Sequence, residues 1–406
     1  SDVGGSFFSA VFSVYKPWKM KEKKGMKMPI IEAYLDDLIK NSTLDVPAWN
    51  IEAARKGGKS GWNYIDGCMI LAMIETWKIT GEKRYLDFAE AYIDHRVQED
   101  GTIKGYNPED YNIDNVNAGK TLFLLYDITG KEKYRKAIDV IYGQLKGQPR
   151  TSEGNFWHKK IYPNQVWLDG LYMGQPFYLE YETRYNDRKN YSDIFGQFKF
   201  VIENMRNPIN GLYFHAMDTS REAFWCDKVT GLSQHSWLRA IGWYTMALID
   251  TLDQVDNKDH KYDAECKMLE DAFKDLVDSM LKYQDESGMW YQVVNYGGMD
   301  KNYLETSGSS IMAYALLKAI RLGYLSDDYA QYAKKAIDGI CERYLKTKED
   351  GSLSLGGICL VAGLGGNGRR SGTYDYYMSE PIVEDDAKGV GPFLLAYTEL
   401  LRYENK

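Results

Sequence analysis

The chain has 406 residues, of which 44% are hydrophobic and 27% are charged, and its formal net charge is −8. These proportions exclude a disordered or collagen-like chain, and the negative charge argues against a general nucleic-acid-binding protein. There are only 10 prolines beside 33 tyrosines and 10 tryptophans, which favours a helical body with many aromatic side chains. No run of eighteen apolar residues is present, so no membrane span is predicted.

The five cysteines are scattered and form no C-x-x-C pair, so neither a disulfide framework nor a zinc site is predicted. The sequence begins at Ser1 rather than at a Met, which hints at either a trimmed leader or an artificially chosen start. A bacterial periplasm and a bacterial cytoplasm both remain compatible with it, and the oligomeric state is not indicated.

Helical hairpins repeat along the chain. Residues 79–85 read ITGEKRY and residues 128–134 read ITGKEKY, and each stretch lies between two apolar helical runs with a glycine ending the first run. A period of about 49 residues is typical of helical arrays. Looser units of the same kind follow. The first helices of all the predicted units begin near Trp62, Asn117, Trp167, Trp237, Thr306 and Asp386.

Six hairpins predict an all-α fold, an (α/α)6 barrel. The first helix of each hairpin is apolar and rich in small residues, as an inner helix requires, and the second is charged and amphipathic, as an outer helix would be. The last inner helix would pair with the segment at 28–40 and close the ring. An open solenoid is the alternative, and this pairing of the chain ends favours closure. No linker separates the units, so a single domain is predicted over residues 1–406.

Two aspartates stand where inner helices begin, at the ends of long loops of the kind that carry functional sites. Asp114 and Asp169 start adjacent inner helices, so we expect them to face each other at the rim of the barrel. A helix cap is the alternative for Asp169, but Gly170 and Gly174 make a poor helix start. Each carboxylate, together with burial, would raise the proton affinity of the other, while the helix N-terminus opposes this.

Basic side chains are predicted near the same rim, namely His158, Lys159, His215 and Arg239. They show no metal-ligand spacing, so no metal site is predicted. Hydrogen bonds and ion pairs to an oxygen-rich anionic ligand fit them better, although each one alone could be structural. Residues 363–368 read GLGGNG, but no strand–helix context surrounds them, so a flexible rim loop is predicted rather than a dinucleotide site.

Several motifs together carry a family resemblance. They are W-x-Y-x-x-G at 62–67, D-x-x-N-x-G at 114–119, WHK and WLDGLYM at 157–173, HSWLRAIGW at 235–243, and VAGLGG through GVGPF at 361–393. With these motifs the chain resembles glycoside hydrolase family 105, the unsaturated rhamnogalacturonyl hydrolases, and the related family 88 unsaturated glucuronyl hydrolases. The resemblance covers nearly the whole chain and implies the same (α/α)6 barrel.

The resemblance implies that Asp169 is the general acid/base and Asp114 the second carboxylate of the site. It implies no cofactor. The predicted substrate-binding residues are Tyr64, His158, Lys159, Trp167, His215, Trp237, Arg239 and Trp243.

The implied substrate is an oligosaccharide left by a pectin lyase, with a 4,5-unsaturated uronic acid at its non-reducing end. Asp169 would protonate the double bond, water would add to the other carbon, and the hemiketal would open and expel the remaining sugar. Lys159 or Arg239 would neutralise the uronate carboxylate. The alternatives are a family 88-type enzyme for glycosaminoglycan fragments, a polysaccharide lyase on a similar toroid, an inactive sugar-binding barrel and an amino-sugar epimerase.

Overall fold

The computed structural model describes residues 28–406, so residues 1–27 of the domain predicted over 1–406 lie outside the described part. The helices are α1 (Met28–Lys40), α2 (Ile51–Arg55), α3 (Tyr64–Thr80), α4 (Lys83–Asp94), α5 (Lys120–Thr129), α6 (Glu132–Gly147), α7 (Leu168–Tyr185), α8 (Tyr191–Asn204), α9 (Leu238–Gln254), α10 (Asp263–Leu281), α11 (Thr306–Leu322), α12 (Ala330–Tyr344), α13 (Tyr374–Ser379) and α14 (Ala387–Glu404). The strands are β1 (Gln165–Trp167), β2 (Ala216–Asp218), β3 (Leu345–Thr347), β4 (Leu353–Leu355), β5 (Ile358–Cys359) and β6 (Ile382–Val383).

Six helices form a closed inner ring. In order around the ring they are α3, the 3-10 segment Ile113–Gly119 that continues into α5, α7, α9, α11 and α14, and α14 packs against α3. Helices α4, α6, α8, α10 and α12 each pack outside the inner helix that precedes them. The first described helix meets the last one where Tyr397 of α14 donates a hydrogen bond to Glu32 of α1 at 3.2 Å. The predicted (α/α)6 barrel is therefore confirmed, and the open solenoid is not.

The repeat signals mark where the helices end. Gly81 and Gly130 adopt φ values of 76° and 65°, a left-handed conformation that glycine tolerates without steric cost. Their amides donate to the carbonyls of Trp77 and Tyr126 and close the last helical turns. Most residues of the inner helices are buried, as expected for helices with neighbours on every side. In α11, every residue from Thr306 to Ile320 is buried.

Three short antiparallel sheets interrupt the all-helical pattern and were not predicted, because strands of two or three residues are too short to show an alternating pattern. The pair β1–β2 places Trp167 opposite Ala216, while β3 pairs with β4 and β5 with β6. Sheets β1–β2 and β5–β6 lie in connections that lead into inner helices. They fix the loops at the end of the barrel where the inner helices begin.

The predicted rim loop at GLGGNG is a closed turn rather than an open loop. Gly365 and Arg370 exchange two backbone hydrogen bonds, at 2.8 and 3.1 Å. Leu364 packs with Trp167 and Trp225 in a small apolar cluster separate from the main core. The glycines lie between the two-residue strand β5 and the six-residue helix α13, and β5 pairs antiparallel with β6, so these elements do not form the parallel βαβ unit that a dinucleotide site requires. Within residues 28–406, no helix is long and apolar enough to span a membrane.

Candidate active site

Asp169 is the second residue of α7, and its side chain lies at the mouth of the inner ring. The N-cap position belongs to Trp167, so Asp169 does not cap the helix. Its Oδ2 is buried without a hydrogen-bond partner, and His215 Nε2 lies 3.3 Å from it. Buried polar atoms are nearly always paired in folded proteins. An unpaired carboxylate oxygen at a helix start is therefore available for a reacting group.

The β1–β2 sheet brings His215 to Asp169. His215 directly precedes β2, and its carbonyl accepts a hydrogen bond from Leu168, the first residue of α7, at 3.1 Å. The imidazole is fully buried, and its Nδ1 lies 2.7 Å from Tyr377 Oη. Burial raises the pKa of Tyr377 well above 10, so the phenol stays protonated and can donate to Nδ1. That assignment leaves the proton of a neutral His215 on Nε2, which faces Asp169.

Asp114 lies in the 3-10 segment and has a different environment. Its Oδ2 is 2.8 Å from Lys159 Nζ, and its Oδ1 is 3.2 Å from His158 Nε2. Burial alone would raise the pKa of Asp114, but Lys159 and His158 lower it below its ordinary value. A neighbouring carboxylate and burial are expected to raise the pKa of Asp114. The pKa is lowered instead, because the two basic side chains outweigh the effect of burial. Asp114 is therefore held as a carboxylate with both oxygens engaged.

His158 connects the two aspartate clusters. One nitrogen contacts Asp114, and the other, Nδ1, faces Gly170, where an added Cβ would stand only 3.0 Å away. The glycine after Asp169 is thus required by close packing, as the sequence indicated. The His158 ring also stacks on Trp167, with ring centroids 4.7 Å apart. The structure brings Asp114, His158 and Lys159 together with the loop that holds Asp169.

The predicted aromatic residues pack as supports rather than as open platforms. Tyr162 and His158 both lie nearly parallel to Trp167, which is 5% exposed. Trp237 lies beside His215, with ring centroids 4.8 Å apart. Trp243 is deeper, stacked on Tyr172 with centroids 4.9 Å apart. Direct contact of these rings with a sugar remains a prediction.

Arg239 has partners within the protein, and the predicted binding role of Tyr64 stays a prediction. Arg239 is buried and donates to the carbonyls of Cys359 and Leu360 and to the hydroxyl of Ser307. It fixes the β5 loop, so its predicted contact with a substrate carboxylate stays a prediction. Tyr64 begins α3, and burial raises the pKa of its phenol well above 10, with further effects from the nearby charges of Asp114 and Arg239.

Sequence reasoning missed two residues at this site, Tyr377 and Arg370. Both lie more than 150 residues from their partners in the chain, so no spacing pattern could reveal the contacts. Arg370 follows the GLGGNG turn and donates to Tyr162 Oη at 3.1 Å. Among the described residues no carboxylate forms an ion pair with it. Its charge is near enough to Lys159 to oppose protonation of that amine.

Comparisons with known proteins show which family the chain belongs to. The model of Glycosyl Hydrolase Family 88 matches residues 38–404. A solved family 105 glycoside hydrolase from *C. acetobutylicum* ATCC 824 is 43% identical, covers 93% of this chain and 99% of its own, and superposes with a TM-score of 0.84. The chain belongs to the family 88/105 glycoside hydrolases. It is an enzyme of that class, with oligosaccharides as substrates.

More distant members show how far the likeness extends. The unsaturated rhamnogalacturonyl hydrolase YesR of *Bacillus subtilis* strain 168 is 25% identical over 300 residues, which are 72% of this chain and 78% of YesR. A solved unsaturated glucuronyl hydrolase specific for heparin is 12% identical, with a TM-score of 0.68 and coverage of 93% of this chain and 97% of its own. The second likeness shows the fold alone.

Proposed function

We propose that this family 88/105 enzyme removes 4,5-unsaturated uronic acid from the non-reducing end of rhamnogalacturonan fragments left by a pectin lyase. The observation that carries the proposal is the difference between the two carboxylates. Asp169 has a buried oxygen without a hydrogen bond, 3.3 Å from His215 Nε2. In Asp114, by contrast, one oxygen contacts His158 and the other forms an ion pair with Lys159. The name of the relative YesR supports the choice of rhamnogalacturonan.

One available carboxylate favours hydration over direct glycoside cleavage. Cleavage with inversion or retention uses two carboxyl groups as acid and as base or nucleophile. Asp114, with both oxygens paired, is poorly suited to the second role. Hydration of an enol ether needs one carboxyl group that gives a proton and then takes one back. Asp169 meets this requirement.

The proposed steps balance without a cofactor. The Asp169 carboxyl group gives its proton to C4 of the unsaturated ring, and the resulting carboxylate takes a proton from water as that water forms a bond to C5. The product is a hemiketal at C5. Its ring opens to a C5 ketone, and the C1 hemiacetal releases the remaining sugar and becomes an aldehyde. Asp169 ends in the protonation state in which it began.

The uronate carboxylate needs a cation, and Arg370 is the best placed. Lys159 is already paired with Asp114, and Arg239 donates to backbone carbonyls. Arg370 donates a hydrogen bond to Tyr162, and Tyr162 stacks on Trp167. Trp167 is two residues before Asp169 in the chain. A guanidinium that lacks a carboxylate partner can accept the substrate's carboxylate in a bidentate geometry. We therefore assign substrate charge recognition to Arg370, with Lys159 as neighbour.

The test follows the ultraviolet absorbance of the conjugated double bond. The enzyme is incubated with an unsaturated rhamnogalacturonan disaccharide, an unsaturated chondroitin disaccharide and intact rhamnogalacturonan. We expect loss of absorbance, fastest on the first substrate. Faster loss on the chondroitin disaccharide would move the substrate class to glycosaminoglycans. Rising absorbance on the polymer would indicate a lyase, and unchanged absorbance on both disaccharides would contradict the proposal.

A further inference from the structure

A second cavity lies along the barrel axis at the opposite end from Asp169. Its volume is about 460 Å³, and all six inner helices line it, mostly with residues from their C-terminal halves. Small-molecule sites commonly have volumes of about 300–1,000 Å³. Nothing in the proposed hydrolysis uses this cavity.

Charged side chains dominate the lining, and nearly all of them neutralise one another. Five of the six cationic side chains that line the cavity form ion pairs with carboxylates. Lys318, for example, lies 2.8 Å from Asp250 and 2.9 Å from Asp253. Lys120 is the exception among the described lining residues, since no carboxylate lies within ion-pair distance of it.

Lys120 is the first residue of α5 and lies at the inner part of the cavity. Its Nζ donates to the carbonyl of Tyr172 at 2.6 Å and stands 3.5 Å from the centroid of the Tyr172 ring. The hydrogen bond uses one of the three ammonium hydrogens, and the Tyr172 ring covers one side of the ammonium group. A buried ammonium without a counter-ion is costly. A ligand that brings a carboxylate would supply what every other cation of the lining already has.

We propose that the axial cavity is a second ligand site, which takes a small hydroxylated monocarboxylate of the size of a single hexuronate, with Lys120 as its charge partner. The paired acids and bases around Lys120 offer donors and acceptors for hydroxyl groups. The rings of Tyr172 and Tyr314 offer apolar surface for a sugar. The ligand should carry only one carboxylate. Once that carboxylate pairs with Lys120, the rest of the lining has one carboxylate more than it has cations.

The protonation state of Lys120 makes binding depend on pH. Burial lowers the pKa of Lys120 to about 7, opposed chiefly by the charge of Asp250. Two neighbouring groups, Cys68 and Tyr172, stay protonated between pH 6 and 9. Burial raises the pKa of Cys68 to about 12 and that of Tyr172 well above 10, and Asp250 is paired with Lys318, whose pKa is raised well above its ordinary value. Bound carboxylate favours the ammonium form, so binding takes up a proton above pH 7.

The test is calorimetric titration of the full chain with D-galacturonate and with D-galactose, which lacks the carboxylate. At pH 6 we expect galacturonate to bind at least tenfold more tightly than galactose. Lys120→Met should remove this binding, whereas Lys131→Met, which removes a lysine outside the cavity that is paired with Glu90 and Asp94, should keep it. Above pH 7 the affinity should fall about tenfold per pH unit. Lys120→Arg, which stays charged, should keep the affinity and lose this pH dependence.

Galacturonate can also enter the Asp169 end, so the decisive quantity is the binding lost in Lys120→Met. Equal galacturonate binding by the wild type and by Lys120→Met would overturn the proposal, as would equal affinities for galacturonate and galactose. Thermal unfolding of each variant identifies any that fail to fold, and Lys120→Arg then decides. Neither probe contains an unsaturated ring, so this test can fail while the hydrolase assay succeeds, and the reverse also holds.

Discussion

The two ends of the barrel use charge in opposite ways. At the N-terminal end of the inner helices, Asp169 and His215 keep buried polar atoms without hydrogen bonds. At the C-terminal end, carboxylates and cations pair almost completely, as Lys318 does with Asp250. The same ring of helices carries both arrangements. The difference teaches that this barrel leaves a buried carboxylate oxygen unpaired where chemistry is proposed and pairs most of its charges at the other end.

The largest effect should come from Asp169→Asn. An amide cannot exchange the proton that hydration requires, so kcat/KM on the unsaturated disaccharide should fall by about 10³- to 10⁴-fold. Since Asp169 Oδ2 has no hydrogen bond to lose, the melting temperature should stay nearly constant. Absorbance assays and calorimetry measure the two quantities. Asp87→Asn on the outer helix α4 is the matched control, and near-normal turnover by Asp169→Asn would place the acid elsewhere.

At the C-terminal end of the inner helices, a substitution should lower the stability of the fold. Lys318→Met leaves Asp250 and Asp253 without their shared cation, and removing one member of a buried ion pair costs about 3–5 kcal/mol. Asp253 is a third exposed, so the lower part of this range is expected for the free energy of unfolding in urea. Adding Asp250→Asn to Lys318→Met should recover part of the loss. An unchanged unfolding midpoint would show that the pairing is dispensable.

An intermediate effect is expected at Arg370. If it binds the uronate carboxylate, Arg370→Gln removes a charge-assisted interaction of about 1.5–3 kcal/mol and raises KM roughly 10- to 100-fold, with little change in kcat. The neighbouring Arg369 is exposed, and Arg369→Gln provides the control. Steady-state kinetics at two ionic strengths measure the effect. A fall in kcat at constant KM would instead indicate that Arg370 positions the loop.

The smallest effect should come from Tyr377→Phe, which removes the hydroxyl that fixes the His215 tautomer. One hydrogen bond contributes about 0.5–1.5 kcal/mol, so kcat should fall by about tenfold or less while KM stays constant. Without this hydroxyl, Nδ1 of His215 can accept a proton beside Asp169. We therefore expect the variant to be active over a narrower pH range than the wild type. Tyr374→Phe removes a hydrogen bond from the same short helix and should leave the profile unchanged. Identical profiles for both variants would exclude the positioning role.

The helices were predictable because each one carries its own signal. Gly81 and Gly130 end helices in the left-handed conformation that the repeated ITG stretches indicated. The inner helices α7 and α9 begin directly after Trp167 and Trp237, near the predicted starts. Periodicity and capping are local, so a sequence shows them without knowledge of the fold.

The site was predictable only in part. Asp114, His158 and Lys159 meet because adjacent inner helices start side by side, which the hairpin count implied. The orientation of Arg239 toward the β5 carbonyls depends on a sheet too short to show a pattern. Tyr377 reaches His215 across 162 residues, and its hydroxyl is one of many in a chain rich in tyrosine. Contacts of this kind form because the ring closes, and they produce no recognisable spacing pattern in the sequence.

Closure of the ring by α14 has a consequence for biosynthesis. Helix α14 lies between α3 and α11 but is synthesised after both of them. Until it is made, the apolar flanks of those two helices have no partner, and chains grow at only about 5–20 residues per second. The nascent chain therefore exposes apolar surface on α3 and α11 for many seconds. Cellular yield of this enzyme should depend on chaperones that bind this surface until α14 has been synthesised.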